Sequence, residues 1–446
     1  MKALFKDIHT KETIHLAWPI VITQVGHIIT GMVDNIFLGR IGAAEQAAGI
    51  LSNNLYVLIL VFGIGVSYAS TPLVSGAHEN KDVYKKAALF KNSLYMNFFV
   101  AAFCFLVLFA SSGALKHMRQ PAEVIDLALP FYDVLIFSII PVSLFFTCKQ
   151  YCEGLSNTRT ALVISVLGNL LNCLLNYWLI YGKCGLPEMG YMGSAWATFI
   201  ARVFMGVLFL IVIFRSSATN EIAKFYKKVK VNWTGLKELA KIGINSGLQF
   251  TFEVAAFVVA GLMAGSFGKE QIDAHGISMS LAAFTYMFGS GISSAATIRI
   301  GIFSAQGDWE NIKRAGFSAI KLVMLIMGSF GIVFLILRTV LPLGFTDNIE
   351  IIVLSSNLLI IAALFQLFDG LQVTVIGILR GLEDVKAPTV ITLICYWLIA
   401  LPLAYFLAFN LKMETVGIWI ALLISLIIVA VSLFLRFRHL LKKNGV

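Results

Sequence analysis

Three carboxylates stand where this sequence otherwise almost excludes charge. Asp34 lies near the end of the first long apolar run, in "GMVDNIFLGR" (31–40), Glu253 lies in "FEVAAF", and Asp369 in "QLFDGLQV". In hydrocarbon an ionised side chain costs about 2.5–3.5 kcal/mol, so the three together cost on the order of 8–10 kcal/mol if left unaided. That approaches the whole net stability of a domain, so each acid must be protonated, paired or bound to a cation. A second polar feature is "GNLLNCLLNYWLIYG", where Asn169, Asn172 and Asn176 recur at steps of three and four and share one helix face. Their amide oxygens are suitable donors for a hard cation or acceptors for a protonated acid. Asn is equally a glue between membrane helices, so the row alone is divided between packing and binding. Set against an intramembrane carboxylate from another helix, it points to ion binding.

The remaining polar side chains carry less. Arg202, mid-run in "ATFIARVFMG", reads as a structural partner for a carbonyl or carboxylate, and Gln372 as a supporting amide beside Asp369. Lys321 is near enough to a run's end to reach water along its own stem. Asp133 belongs at an interface. Cys104, Cys148, Cys152, Cys173, Cys184 and Cys395 show no metal spacing and read as apolar filler. No G-x-x-x-x-G-K-[S/T] loop and no H-E-x-x-H occurs, and the seven His show no ligand spacing, so neither ATP hydrolysis nor zinc chemistry is indicated. No aqueous segment is large enough to hold an enzyme. The energy for any work comes from an ion gradient.

The elements that must hold these residues follow from composition. Apolar residues make up 59% of the chain and charged ones 13%, against about 45–50% and 25% in soluble domains. Such a chain cannot cover its own surface with charge, and run after run exceeds the roughly 18 residues of a membrane-spanning helix. Twelve spans are predicted, at 13–39, 48–76, 88–112, 127–150, 160–182, 190–214, 238–267, 273–304, 313–341, 351–378, 387–410 and 414–436. The first run is too long, and too interrupted by Pro19 and Asp34, to be a cleaved signal core. Most of the 34 Lys and Arg fall in one set of alternate connections, including "KDVYKK", "FYKKVKVNWTGLKELAK" and the tail "RFRHLLKK". By the positive-inside rule both termini are expected to be cytoplasmic. The net charge of +10 is therefore a topology signal and gives no reason to expect nucleic acid.

The chain also repeats. "FGIGVSYAST" (62–71) matches "FGSGISSAAT" (288–297), and "LGRIG" (38–42) meets "AGSFG" (264–268) at the same offset. The long connection at 215–237 separates six spans from six, giving an N-terminal bundle (1–214), a cytoplasmic linker (215–237) and a C-terminal bundle (238–446). Six is even, so both halves enter the membrane the same way. Their pseudo-twofold axis is then expected along the membrane normal, as in transporters built of parallel repeats. The fold class is an all-α polytopic membrane protein of two six-helix bundles.

Together these landmarks resemble the multidrug and toxic compound extrusion (MATE) family of cation-coupled efflux transporters, over about residues 12 to 430. The residues that carry the resemblance are "WPIVITQ" with "MVDNIFLGRIG", "NCLLNYWLIYG", "GYMGSAWAT", "FEVAAF", "SSAATIRIG", "QLFDGLQVTVIGILRG" and "YWLIALPLAY". Acids in spans seven and ten beside the one in span one are similar to the bacterial NorM-type branch. The resemblance implies two bundles forming a V-shaped cavity that faces each side in turn. It also implies cation sites for Na⁺ or H⁺ at Asp34 with Asn172 and Asn176, and at Glu253 with Asp369, with Asn169, Gln372 and Arg202 supporting. Cationic amphiphiles would be exported by a monomer in the lipid bilayer without a cofactor, some of the 35 Phe lining the cavity. The chain departs from the branch in having Cys173, Leu174 and Leu175 between the paired asparagines, where a proline is common. Two rivals remain. A lipid-linked oligosaccharide flippase of the same superfamily would need a more cationic interior. A membrane-embedded prenyl transferase would need paired acidic motifs, and Glu383-Asp384 stands alone.

Overall fold

A computed structural model describes residues 7–115, 121–215 and 220–446. Among them the chain is helical throughout, with α1 (Ile8–Ile41), α2 (Ala43–Ser67), α3 (Ser70–Glu79), α4 (Val83–Leu115), α5 (Ala122–Phe137), α6 (Ile139–Gly154), α7 (Thr158–Tyr181) and α8 (Met192–Arg215). A short α9 (Asn220–Tyr226) leads to α10 (Trp233–Gly265), α11 (Lys269–Gln306), α12 (Trp309–Leu337) and α13 (Ile349–Gly381). Then come α14 (Lys386–Leu393), a π-helical turn at Ile394–Ala400, α15 (Leu401–Tyr405), a second π turn at Phe406–Asn410 and α16 (Glu414–Lys443). Eleven described stretches are long and apolar enough to cross a membrane, and α5 with α6, bent by 41°, makes a twelfth as one broken span.

Prolines mark the breaks. Pro72 removes the N–H that would bond to Tyr68, where α2 gives way to α3, and Pro141 does the same for Phe137, where α5 gives way to α6. Pro402 follows the first π turn. Polar residues set other helix starts: Asn157 accepts from the Thr160 N–H (3.3 Å), Asp308 from Asn311 (3.0 Å) and Asn348 from Glu350 (2.9 Å). Gly182 and Gly307 close α7 and α11 at φ of 62° and 69°, in the left-handed region that favours glycine.

The helices form two compact units. One is Ile22–Gly247, the other the chain up to Val21 with Leu248–Val446. Where the sequence divides the chain in the connection 215–237, the units change over inside helices, within α1 and within α10. Each unit thus takes in the first part of a long helix, and each does so against a repeat glycine. In the N-terminal unit a Cβ on Gly65 would stand 2.6 Å from Gly247 Cα and 2.8 Å from the Ser246 carbonyl. In the C-terminal unit a Cβ on Gly291 would stand 3.2 Å from Val21 N and 3.3 Å from the Ala17 carbonyl. Gly65 and Gly291 are partners in the internal repeat, so both halves use the same backbone approach.

The opening turns of α1 are also fixed by charge. Arg299 of α11, itself buried, donates to the His9 carbonyl (2.6 Å), the Thr13 hydroxyl (3.0 Å) and the Glu12 carboxylate (2.7 Å). The hydroxyls of Thr10 and Ser318 lie 2.6 Å apart. The core of the C-terminal unit gathers Ala256, Ala260, Leu379, Leu426 and Phe437 around α13 and α16. In the N-terminal unit Tyr56, Leu108, Phe131 and Tyr132 do the same for α2, α4 and α5.

Gly65→Val is expected to lower stability by about 1–3 kcal/mol, the usual cost of overpacking. Gly276→Ala, exposed with no neighbour within 4 Å, should leave it unchanged or raise it by up to about 1 kcal/mol. Thermal unfolding of the detergent-solubilised protein checks both. Equal effects at the two positions would contradict the close approach.

Candidate functional site

In the N-terminal unit the sequence motifs converge on one carboxylate. Asp34, on α1, accepts through Oδ1 from Asn176 Nδ2 (2.8 Å) and through Oδ2 from the Thr198 hydroxyl (3.4 Å). Asn176 also donates to Asn172 Oδ1 (3.2 Å), and Asn172 Nδ2 donates to Thr198 Oγ1 (3.3 Å). Three helices, α1, α7 and α8, thus close a ring of one carboxylate, two amides and one hydroxyl. The helix α7 runs unbroken through Cys173, Leu174 and Leu175, and its regular geometry puts Asn172 and Asn176 one turn apart on the same face.

The ring leaves one oxygen over. Asn176 Oδ1 is buried without a hydrogen-bond partner. A buried acceptor of this kind is uncommon and needs a donor or a cation. An orphan amide oxygen beside a carboxylate suits Na⁺, which takes oxygen ligands, and a carboxylate framed by amides suits H⁺ equally. Among the described residues no three His, Cys, Asp or Glu side chains gather, so the donors here are amide, hydroxyl and one carboxylate.

Asn169 stands apart from this ring and packs against α1 at Gly26, whose Cβ would be 2.7 Å from Asn169 Nδ2. Arg202 is anchored elsewhere. It donates to the Ser138 hydroxyl at the break between α5 and α6, and its guanidinium lies 4.8 Å from the Tyr56 ring centre. Ser138 in turn donates to the Tyr56 hydroxyl (3.2 Å). Arg202 is therefore a fixed positive charge near Asp34 and does not hydrogen-bond it.

The C-terminal unit builds its acids differently. Glu253 Oε1 accepts from Gln372 Nε2 (2.7 Å), and Gln372 Oε1 accepts from the Tyr396 hydroxyl (3.0 Å). Gln372 has its amide committed at both ends. Asp369 sits one turn before Gln372 on α13, is 4% exposed, and lies within electrostatic reach of Glu253. Arg380, also buried, lies farther along α13 with its guanidinium 5.5 Å from the Phe250 ring centre.

Tyr396 owes its position to the π-helical turn Ile394–Ala400, where the next residue, Trp397, donates from its indole to the Phe252 carbonyl (3.0 Å). Such turns recur at functional sites because they re-aim side chains out of the 3.6-residue register. Thr198 and Tyr396 are the two partners that spacing alone does not single out, although the quoted "GYMGSAWAT" and "YWLIALPLAY" contain them.

Other polar residues lie outside these two clusters. Lys149 and Glu153, four apart on α6, form an ion pair of 2.8 Å with both side chains essentially unexposed. Asp384 of the Glu383-Asp384 pair is held by Arg436 at 2.7 Å. Lys321 and Asp133 are exposed. Of the six cysteines, all free, Cys104, Cys148, Cys152 and Cys395 are buried, whereas Cys173 and Cys184 are exposed rather than filling the interior.

Comparison with known proteins places the chain in a family. The MatE family model matches residues 19–178 and 246–406. A probable multidrug resistance protein NorM of Agrobacterium fabrum is 30% identical, covering 98% of this chain and 95% of its own length. The multidrug resistance protein MdtK of Yersinia pseudotuberculosis is 29% identical, covering 98% and 96%. Among solved structures, an outward-facing multidrug resistance MATE transporter of the MOP superfamily superimposes with a TM-score of 0.90 at 17% identity, covering 99% of this chain and 98% of that one. A eukaryotic MATE transporter, AtDTX14, gives 0.89 at 19% identity, covering 98% of each. At these identities the structural likeness establishes the fold.

A double-mutant cycle on Glu253→Leu and Gln372→Leu is expected to show coupling of about 1–3 kcal/mol, because either single change strands a buried partner. The measurement is thermal or denaturant unfolding of the four proteins in detergent. Additive losses would mean that the two side chains do not depend on each other.

Proposed function

The chain belongs to the MatE family, and from that premise we propose that it is a cation-coupled antiporter that exports cationic amphipathic compounds by alternating access. It is a membrane transporter of the NorM type and not an enzyme. The observation that carries the proposal is a pair of carboxylate clusters inside the spans: half-buried Asp34 with Asn176, Thr198 and Asn172 in one unit, and buried Glu253 with Gln372 and Asp369 in the other. Both termini are cytoplasmic, the protein resides in the inner membrane, and one chain suffices. The coupling ion is Na⁺ or H⁺, both of which suit carboxylates framed by neutral amides. Na⁺ would be held at Asp34, Asn172 and Asn176, or at Glu253 and Asp369.

The mechanism follows from charge. With no cation bound, the acids offer negative charge in a low-dielectric surrounding and attract a positively charged amphiphile. Entry of Na⁺ or H⁺ neutralises that charge and competes with the drug. A ligand drives a conformational change only as far as it binds the two states differently. The cation and the drug therefore have to favour opposite-facing states. In the N-terminal unit the ring around Asp34 is the element that changes, because Asn176, Asn172 and Thr198 must exchange partners when Asp34 gains a proton or a cation.

Ethidium efflux from vesicles, with a Na⁺ gradient and a pH gradient imposed separately, tests the proposal. Wild type should respond to one gradient. Asp34→Asn should reduce efflux by at least about tenfold, equal to a loss of about 1.4 kcal/mol in the coupled step. Efflux that persists unchanged in Asp34→Asn would make that acid structural and leave coupling to Glu253 and Asp369. A folded wild type that exports nothing under either gradient would overturn the drug-export reading in favour of a lipid-linked substrate.

A further inference from the structure

The internal repeat assigns a partner to a residue that the proposed mechanism leaves idle. The offset that aligns "LGRIG" with "AGSFG" places His27 of α1 opposite Glu253 of α10, while Asp34 falls opposite Ala260. The contact partners are matched as well. Gly154 and Gly381 are counterparts, each with a Cβ position 3.0 Å from a carbonyl oxygen, that of Thr71 in one unit and Thr297 in the other. From that pair, Phe145 on α6 corresponds to Gln372 on α13. Gln372 donates to Glu253 in the C-terminal unit. In the N-terminal unit Phe145 packs edge-on against the His27 ring, 5.8 Å between centres at 86°. Each unit thus places a titratable side chain at the same station, a carboxylate in one and an imidazole in the other.

The surroundings of His27 are unusual for a histidine that only fills space. Its Nε2 is enclosed without a hydrogen-bond partner, an arrangement that costs free energy unless a proton or water serves the atom in some state of the protein. His27 and Asp34 are seven residues apart, two helical turns and about 10 Å along one face of α1. The asparagine row of α7 spans the same stretch, with Asn169 against Gly26 and Asn176 on Asp34. The charges that face His27 are Lys149 of α6, itself paired with Glu153, and Arg202 of α8. Its own helix contributes Asp34, and the α7 row contributes only neutral amides.

We propose that His27 is a second proton-binding residue of the N-terminal unit, sharing with Asp34 the protons that the unit takes up and releases during transport. This rests on the antiporter reading above. His27 and Asp34 stand about 10 Å apart on one helix face, near enough in a low-dielectric surrounding for the charge on one to be felt at the other, so the occupancy of His27 follows the state of Asp34. A proton passes from hydronium to Nε2, an O–H bond breaking as the N–H forms, and returns to water by the reverse step.

The test is nitrogen NMR of the histidine side chains in the full-length protein in lipid nanodiscs, with ethidium as the probe ligand. The signal missing from His27→Gln identifies His27. Should that variant not fold, Phe145→Leu identifies it by removing the ring that shifts its resonance. The expected result is a His27 signal that changes protonation state between pH 5 and 8 and changes again when ethidium binds, with the ethidium response lost in Asp34→Asn. A signal fixed in one state across that range, with and without ethidium, overturns the proposal. So does a signal that titrates but ignores ethidium in protein that still exports it. If the wild type exports no ethidium at all, the antiporter reading fails instead, a result read in the efflux assay and independent of the NMR.

Discussion

Everything in this molecule is arranged around one constraint: a polar group in hydrocarbon must find its partner inside the protein. The apolar helices satisfy their own backbones, so what remains to be solved is the small set of ionisable side chains. Each solution fixes several helices at once. Asp34 ties α1 to α7 and α8 through Asn176 and Thr198. Glu253 ties α10 to α13 through Gln372, and Tyr396 adds the π-helical segment. Arg299 holds the opening of α1 to α11, and Arg202 sits on the break between α5 and α6. Removing any one of these partners strands a buried polar atom and loosens a helix contact together.

The constraint also explains what a linear reading reveals. Spans are legible because twenty apolar residues in a row have few other uses, and the intramembrane acids are legible because they break such runs at visible cost. The row Asn169, Asn172 and Asn176 is legible through its spacing, and α7 presents Asn172 and Asn176 to Asp34 on one face. Thr198 and Tyr396 are hidden for the opposite reason. A threonine or a tyrosine in a membrane helix costs little, so its presence carries no signal until a neighbour is known. Glu153 and Lys149 escape notice because they lie at a span's end, where charge is ordinary, yet α6 buries both. The division into units is hidden because it depends on which helices Gly65 and Gly291 touch, and it falls inside α1 and α10 where the sequence shows no linker.

The two units share a repeat but not a chemistry. At the station where the C-terminal unit carries Glu253, the N-terminal unit carries His27, and its acid stands two turns farther along α1. One unit uses a carboxylate ringed by amides and a hydroxyl, the other a pair of carboxylates of which one is held by a glutamine. Under the proposed antiport, such divergence within a common scaffold would let the halves respond differently to the same ion.

If cation and drug compete through these carboxylates, each must weaken the other by the same factor. Equilibrium binding of ethidium to the purified protein, followed by fluorescence while Na⁺ and pH are varied independently, tests it directly. Raising the coupling ion, Na⁺ or H⁺, is expected to weaken ethidium binding at least about tenfold, a coupling of about 1.4 kcal/mol. Ethidium affinity that is indifferent to both ions, in protein that binds it, would mean that cation and drug do not compete.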